Sequence, residues 1–231
     1  MSLRMPALDA TTVANFFDEL GVKIDVCKAQ QRKLDMYLAS GMNIVRDYIC
    51  PDENGISDIF KDLLSSRGPH GQGRVFLDIF LEQLGLSSMI VDAESETIRE
   101  HYTSSGRKID LLLTFSGKGV GIENKPFAAD QAKQVEDYNE YLATKFRQGY
   151  VLYYLTPAGT TPSENSISRE KRNSLEASNT LRYISYQRDV REWLEACFTQ
   201  CKADKVRWFL RDLIEFIDER MADDGYQENG V

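Results

Sequence analysis

At 231 residues, 42% hydrophobic and 28% charged, the chain has the composition of a soluble globular protein and the length for one domain with an extension or two small ones. A net charge of −8 excludes a uniformly basic coat for nucleic acid, but not a local basic groove or a set of carboxylates awaiting a cation. The sequence has neither a leader-like basic-then-apolar opening nor a bilayer-length apolar run, and its four cysteines, Cys27, Cys50, Cys197 and Cys201, form no C-x-x-C pair. A cytoplasmic protein with reduced thiols and no membrane anchor is expected.

Thr11 or Thr12 can cap a short helix carrying Val13, Phe16, Phe17 and Leu20, which Gly21 would end. A longer amphipathic segment runs from about Ile24 to Ile49, with Gly41 as an interruption. The two are expected to pack on each other as a helical extension, residues 1–50, that covers the rest of the chain. The other reading makes them a partner surface or the contact of a homo-oligomer. Pro51-Asp52-Glu53-Asn54-Gly55 is a break, followed by a helix marked by Ile56, Ile59, Phe60, Leu63 and Leu64. After the loop around His70, residues Val75, Phe76, Ile79, Phe80 and Leu84 mark another. Read by itself, Glu53 favours a helix start through the macrodipole and His70 is a loop residue.

Thr97 to Tyr102 reads as a strand, and Arg107 to Phe115, a Ser-Gly-Lys-Gly turn, and Val120 to Lys125 read as a hairpin. Side chains alternate along strands, so Lys108, Asp110, Leu112 and Thr114 should share one face, as should Gly121, Glu123 and Lys125. With Ser116 opposite Gly119, Asp110 would face Lys125, with Glu123 on the diagonal about 7–8 Å away between β-carbons. Two acids and a lysine on so apolar a hairpin need a reason, since charge there must be solvated, paired or bound to metal. Carboxylates at this spacing suit magnesium or manganese, and the lysine could orient water or neutralise a phosphoryl oxygen. A solvent-facing edge with an ordinary cross-strand ion pair is the alternative. A helix should follow Pro126, with Ala128, Ala132, Val135, Leu142 and Phe146 at helical spacing and a stripe of Gln131, Gln134 and Tyr138.

In this order, Asp110, the tripeptide Glu123-Asn124-Lys125, and Gln134 with Tyr138 on a following helix resemble the PD-(D/E)xK nuclease superfamily. The last pair is similar to the Q-x-x-x-Y element of its RecB-like branch, and Glu53, the His-Gly loop and the F-L-x-x-F-L helix to an uncharacterised branch. The resemblance implies a restriction-endonuclease-like core and hydrolysis of phosphodiester bonds in nucleic acid, DNA ahead of RNA, in repair, mobile-element or defence settings. It implies that Asp110, Glu123 and the backbone carbonyl of Asn124 hold Mg2+ or Mn2+ and that Lys125 acts on the attacking water. Gln134 and Tyr138 would support substrate or water. Glu53 is the candidate third ligand, with His70 as its alternative. Without activity, the same fold would serve as a nucleic-acid-binding or interaction component.

Further on, Gly149 to Thr156 reads as a buried strand reached by a crossover, 157–179 as a long polar loop, and Leu181 to Tyr186 as a last strand. Val190 to Phe198 and Val206 to Ile217 read as amphipathic helices, with Trp208, Phe209, Leu213 and Phe216 as buried anchors, and 223–231 as a frayed acidic tail. Arg99, Arg107, Lys108, Arg169, Lys171 and Arg172 are candidate phosphate contacts or ordinary surface charges. The expected class is α/β, a small mixed sheet flanked by helices, with the nuclease-like domain over 51–222.

Overall fold

In a computed structural model that describes residues 10–39, 41–89 and 95–221, with 36–38 as backbone alone, the apolar runs of the middle of the chain form one five-stranded sheet. Its strands, in spatial order, are β1 Ser95–Tyr102, β2 Lys108–Phe115, β3 Lys118–Asn124, β4 Tyr150–Thr156 and β5 Leu181–Ser185. β1, β2 and β3 pair antiparallel, whereas β3, β4 and β5 pair parallel. The helices are α1 Ala10–Leu38, α2 Glu53–Leu64, α3 Val75–Gln83, α4 Gln134–Lys145, α5 Arg169–Ala177, α6 Arg191–Gln200 and α7 Asp204–Arg220. No helix among the described residues is long and apolar enough to cross a membrane.

Alternation along the strands divides the core in two. Leu111, Leu113, Val120, Ile122, Val151, Tyr153 and Ile184 pack with Phe60, Phe76, Phe80, Trp193 and Phe216 from α2, α3, α6 and α7. Leu112, Leu152, Tyr154 and Leu181 pack on the other face with Val135, Tyr138, Leu142 and Phe146 from α4 or just beyond it. Helices on both faces of a mixed sheet are the α/β architecture expected. By contacts the chain divides into two compact units, residues 1–43 and 44–231.

Several elements differ from the sequence expectation. The hairpin turn is tighter, because Gly117 adopts φ +87 and lets Phe115 pair with Lys118 across Ser116-Gly117. One step beyond the last pair, Leu111 with Ile122, Asp110 therefore stands across from Glu123 and not from Lys125. The alternation also breaks at Glu100, which is left-handed at φ 50. Arg99 reaches Asp58 on α2, while His101, two residues on, bonds Tyr141 on α4. Facing this break, Ile109 joins Leu112 in the α4-side cluster, so the residues from Lys108 to Thr114 do not keep one parity.

The two expected N-terminal helices are one continuous α1 that runs through Gly21, whose cost of about 1 kcal/mol does not stop it. The helix expected to reach Ile49 ends at Leu38, and Val45–Ile49 is a separate π-helical turn. α4 begins at Gln134, after a left-handed Lys133, so Ala128 to Ala132 are not helical. The expected long loop contains α5, capped by Ser168, whose side chain accepts from the Lys171 N–H. α5 buries no residue, so no apolar period could reveal it. Trp208 is half exposed, not a buried anchor. The tail expected at 223–231 lies outside the described residues.

α4 lies close to β3 because β3 presents glycines to it. A β-carbon on Gly121 would fall 2.9 Å from Leu142 Cδ1, and one on Gly119 would overlap the Phe146 ring. Gly119→Ala should therefore destabilise the fold by about 1–3 kcal/mol, the scale of overpacking in a filled core. Urea unfolding measures this; an unchanged midpoint would show that Phe146 moves aside freely.

Candidate active site

β3 ends at Asn124, and its alternation sends the Glu123 and Lys125 side chains toward α4 and the Asn124 side chain toward α2. Where the β2–β3 ladder stops, the Asp110 carboxylate accepts the Asn124 backbone N–H at 2.7 Å. The Asn124 side chain donates to Ser57 Oγ at 2.8 Å and accepts from the Tyr186 hydroxyl at 2.5 Å, in fully buried surroundings. That bond docks the first turn of α2, which Asp52 caps by accepting the Gly55 N–H. Glu53, the first residue of α2, is thereby held 3.7 Å from the Lys125 ammonium.

Lys125 Nζ also meets Glu123 Oε1 at 2.8 Å, and Gln134 Nε2 donates to the same oxygen at 2.6 Å. Tyr138, one turn along α4, lies 3.1 Å from Gln134 Nε2 and donates its hydroxyl to the Lys108 carbonyl at 2.5 Å. Glu123 is only 1% exposed and Lys125 7%, deeper than the polar opening expected from sequence. The second Glu123 oxygen, Oε2, is buried and has no hydrogen-bond donor.

Three carboxylates thus share one ammonium. Burial pushes the Glu123 carboxyl well above the ordinary range and Asp110 reinforces the shift. Burial likewise raises Asp110 and Glu53 against the pull of Lys125. Burial pulls Lys125 down, but Glu123, Glu53 and Asp110 outweigh it and keep the ammonium charged. With two negative charges in excess when all three acids ionise, at least one carboxyl keeps its proton until another cation enters. An orphaned, buried carboxylate oxygen beside a second carboxylate is what a hard cation satisfies, so the residues present fit a divalent ion. Among the described residues no group of three or more His, Cys, Asp or Glu side chains already forms a metal cage. The ready donors are Asp110 and Glu123, with Glu53 turned to Lys125.

His70 does not join this group. Its Nε2 bonds the Ser65 carbonyl and its Nδ1 accepts from the Gln72 N–H, both at 3.0 Å, while the ring stacks on Phe76. It lines an apolar concavity with Ile59, Leu63 and Phe209, away from the carboxylates. Gln131 lies in the loop before α4, where its side chain accepts from Arg107. The six candidate phosphate contacts all have acidic neighbours: Arg99 with Asp58, Arg107 with Asp137, Lys108 with Glu100, Arg169 with Glu164, Lys171 with Glu136 and, at 3.8 Å, Arg172 with Glu176. Sequence reasoning missed Ser57, Tyr186 and the Asn124 side chain. An Asn between two charged residues at a strand end was the only signal available.

The raised Glu123 carboxyl has a consequence for stability. A folded-state pKa above the ordinary 4.5 means that the folded protein binds more protons. Its stabilising share is complete below that value and is lost as pH rises through the raised one. In chelator, Glu123→Gln should therefore stabilise the protein by about 1–3 kcal/mol at pH 8, the cost of a buried unsatisfied polar group, and by less at pH 5. Thermal unfolding at the two pH values checks this. A variant less stable than wild type at pH 8 would contradict it.

A family model described as the PD-(D/E)XK nuclease superfamily matches residues 47–217. Searches of the curated proteins and of the solved structures return no match. Members of the superfamily are generally nucleases that use divalent metal ions. The match takes in most of the chain and every residue of the carboxylate–lysine cluster, so the chain belongs to the PD-(D/E)XK nuclease superfamily.

Proposed function

We propose that this protein hydrolyses phosphodiester bonds of nucleic acid, DNA ahead of RNA, with a magnesium or manganese ion held by Asp110, Glu123 and the backbone carbonyl of Asn124. The observation that carries the reading is the orphaned Glu123 Oε2, buried beside Asp110 at the mouth of the hairpin. Carboxylate and carbonyl oxygens select a hard cation. When bound, such an ion supplies Lewis acidity at the phosphoryl oxygens and lowers the pKa of a bound water.

The chain's own residues do the rest. Gln134 fixes the Glu123 carboxylate through its 2.6 Å bond, and Tyr138 ties α4 to β2 through the Lys108 carbonyl. Both act as positioning residues. Lys125, at 2.8 Å from Glu123, presents a preorganised positive charge that can hold the attacking water or offset charge building on the phosphate. Glu53 stands on the far side of Lys125 at 3.7 Å, from where its carboxylate can complete the ligand set or take a proton from water.

Incubation with linear, circular and single-stranded DNA and with RNA, each with magnesium, manganese or chelator, tests the reading. Lys125→Ala should lose about 10²–10³ in cleavage rate, the scale of one removed electrostatic donor, while manganese affinity stays close to wild type. A Lys125→Ala protein that cleaves normally removes that residue from the chemistry. A folded wild type inert on every substrate refutes hydrolysis, and tight binding without cleavage would make the protein a nucleic-acid-binding component. Titration with manganese ranks the third ligand. Glu53→Gln should weaken binding more than His70→Ala, and the reverse order would move the site toward His70.

A further inference from the structure

α1 carries a second pattern. Val13, Phe17, Leu20, Ile24, Cys27, Gln31 and Leu34 succeed one another at alternating steps of four and three residues. All lie within the single helix, and the apolar members are exposed: Val13 38%, Phe17 63%, Leu20 39%, Ile24 44% and Leu34 52%, with Cys27 exposed as well. Phe16 widens the stripe at its N-terminal end, while Val22 and Val26 lie outside it. A helix of this length, about 43 Å at 1.5 Å per residue, draws most of its stability from burying such a stripe.

The period identifies the kind of surface that covers it. A helix resting on a globular core needs a broad stripe at 3.6 residues, whereas a narrow 3.5-residue repeat over three heptads stays in contact only with another helix wound around it. Charge then identifies which helix. Asp18 and Glu19 make the N-terminal half of α1 acidic, while Lys23, Lys28, Arg32 and Lys33 outnumber Asp25 and Asp35 in the C-terminal half. Two copies running antiparallel set each acidic half along a basic one. Run parallel, they would bring Lys23 of one beside Lys28 of the other at the flanks of the stripe. Gln31, the polar member, already donates its amide to Asp35 at 3.2 Å, so covering it leaves no bare donor.

We propose that α1 pairs with α1 of a second copy as an antiparallel two-stranded coiled coil, Ile24 of one chain against Cys27 of the other, making the protein a homodimer. Sedimentation velocity of the full chain over a wide concentration range tests it. Wild type should run at twice the chain mass, and the Leu20→Lys, Ile24→Lys double variant at the chain mass, with manganese affinity unchanged as evidence that residues 44–231 remain folded. A monomeric wild type, or a variant that remains dimeric, would overturn the pairing. So would a monomeric wild type whose unfolding temperature falls on the double substitution, since the stripe would then be covered by its own chain. Oxidation reads the orientation. In a Cys50→Ser background, Ile24→Cys should give a covalent dimer through the native Cys27, and the chain that keeps Ile24 should give none. A covalent dimer formed through Cys27 alone would make the pairing parallel and overturn the antiparallel assignment.

Discussion

A carboxylate buried to 1% exposure has to be compensated, and the Glu123 cluster shows how far the chain goes to do so. One oxygen receives both the Lys125 ammonium and the Gln134 amide, while the other receives nothing. Full satisfaction was within reach of a sheet end this rich in polar groups. A buried charge left half satisfied is costly, and such costs persist where function requires them. The arrangement keeps Lys125 charged and leaves one acid position open to exchange its proton for a cation.

The architecture around the cluster follows from bringing three separate elements to the end of β3. Asn124 does this with two bonds in opposite directions, to Ser57 on α2 and to Tyr186 beyond β5, while its backbone N–H holds Asp110. The glycines of β3 let α4 approach closely enough for Gln134 to reach Glu123. On the far side, Tyr154 donates to Asp130, whose other oxygen takes the Ser163 N–H, tying the segment before α4 to the segment before α5. The site is thus built on strand ends and helix starts whose backbone is already committed, and preorganised charge requires such rigidity.

Much of this was legible in the sequence because it depends on local pattern. The hairpin, the order of Asp110, Glu123 and Lys125, and the Gln134–Tyr138 spacing are short-range features that alternation and helical period express directly. What escaped depends on single backbone angles or on contacts remote in sequence. The left-handed Gly117 shortens the turn and moves Asp110 from Lys125 to Glu123, and the left-handed Glu100 reverses the faces of β1. Neither φ leaves an apolar signature. α5 escaped because it buries nothing, and Tyr186 because its partner Asn124 is far away in the chain. In α1, the glycine at position 21 suggested a stop that a long helix simply absorbs.

The central claim is that the protonated carboxyl pair and the cation occupy the same place in turn. Calorimetric titration of manganese near neutral pH, in two buffers of different ionisation enthalpy, counts the protons released as the ion binds. The account predicts net proton release from the wild type and a marked loss of that release in Glu123→Gln. Binding with no proton release, or release that Glu123→Gln leaves intact, would contradict it.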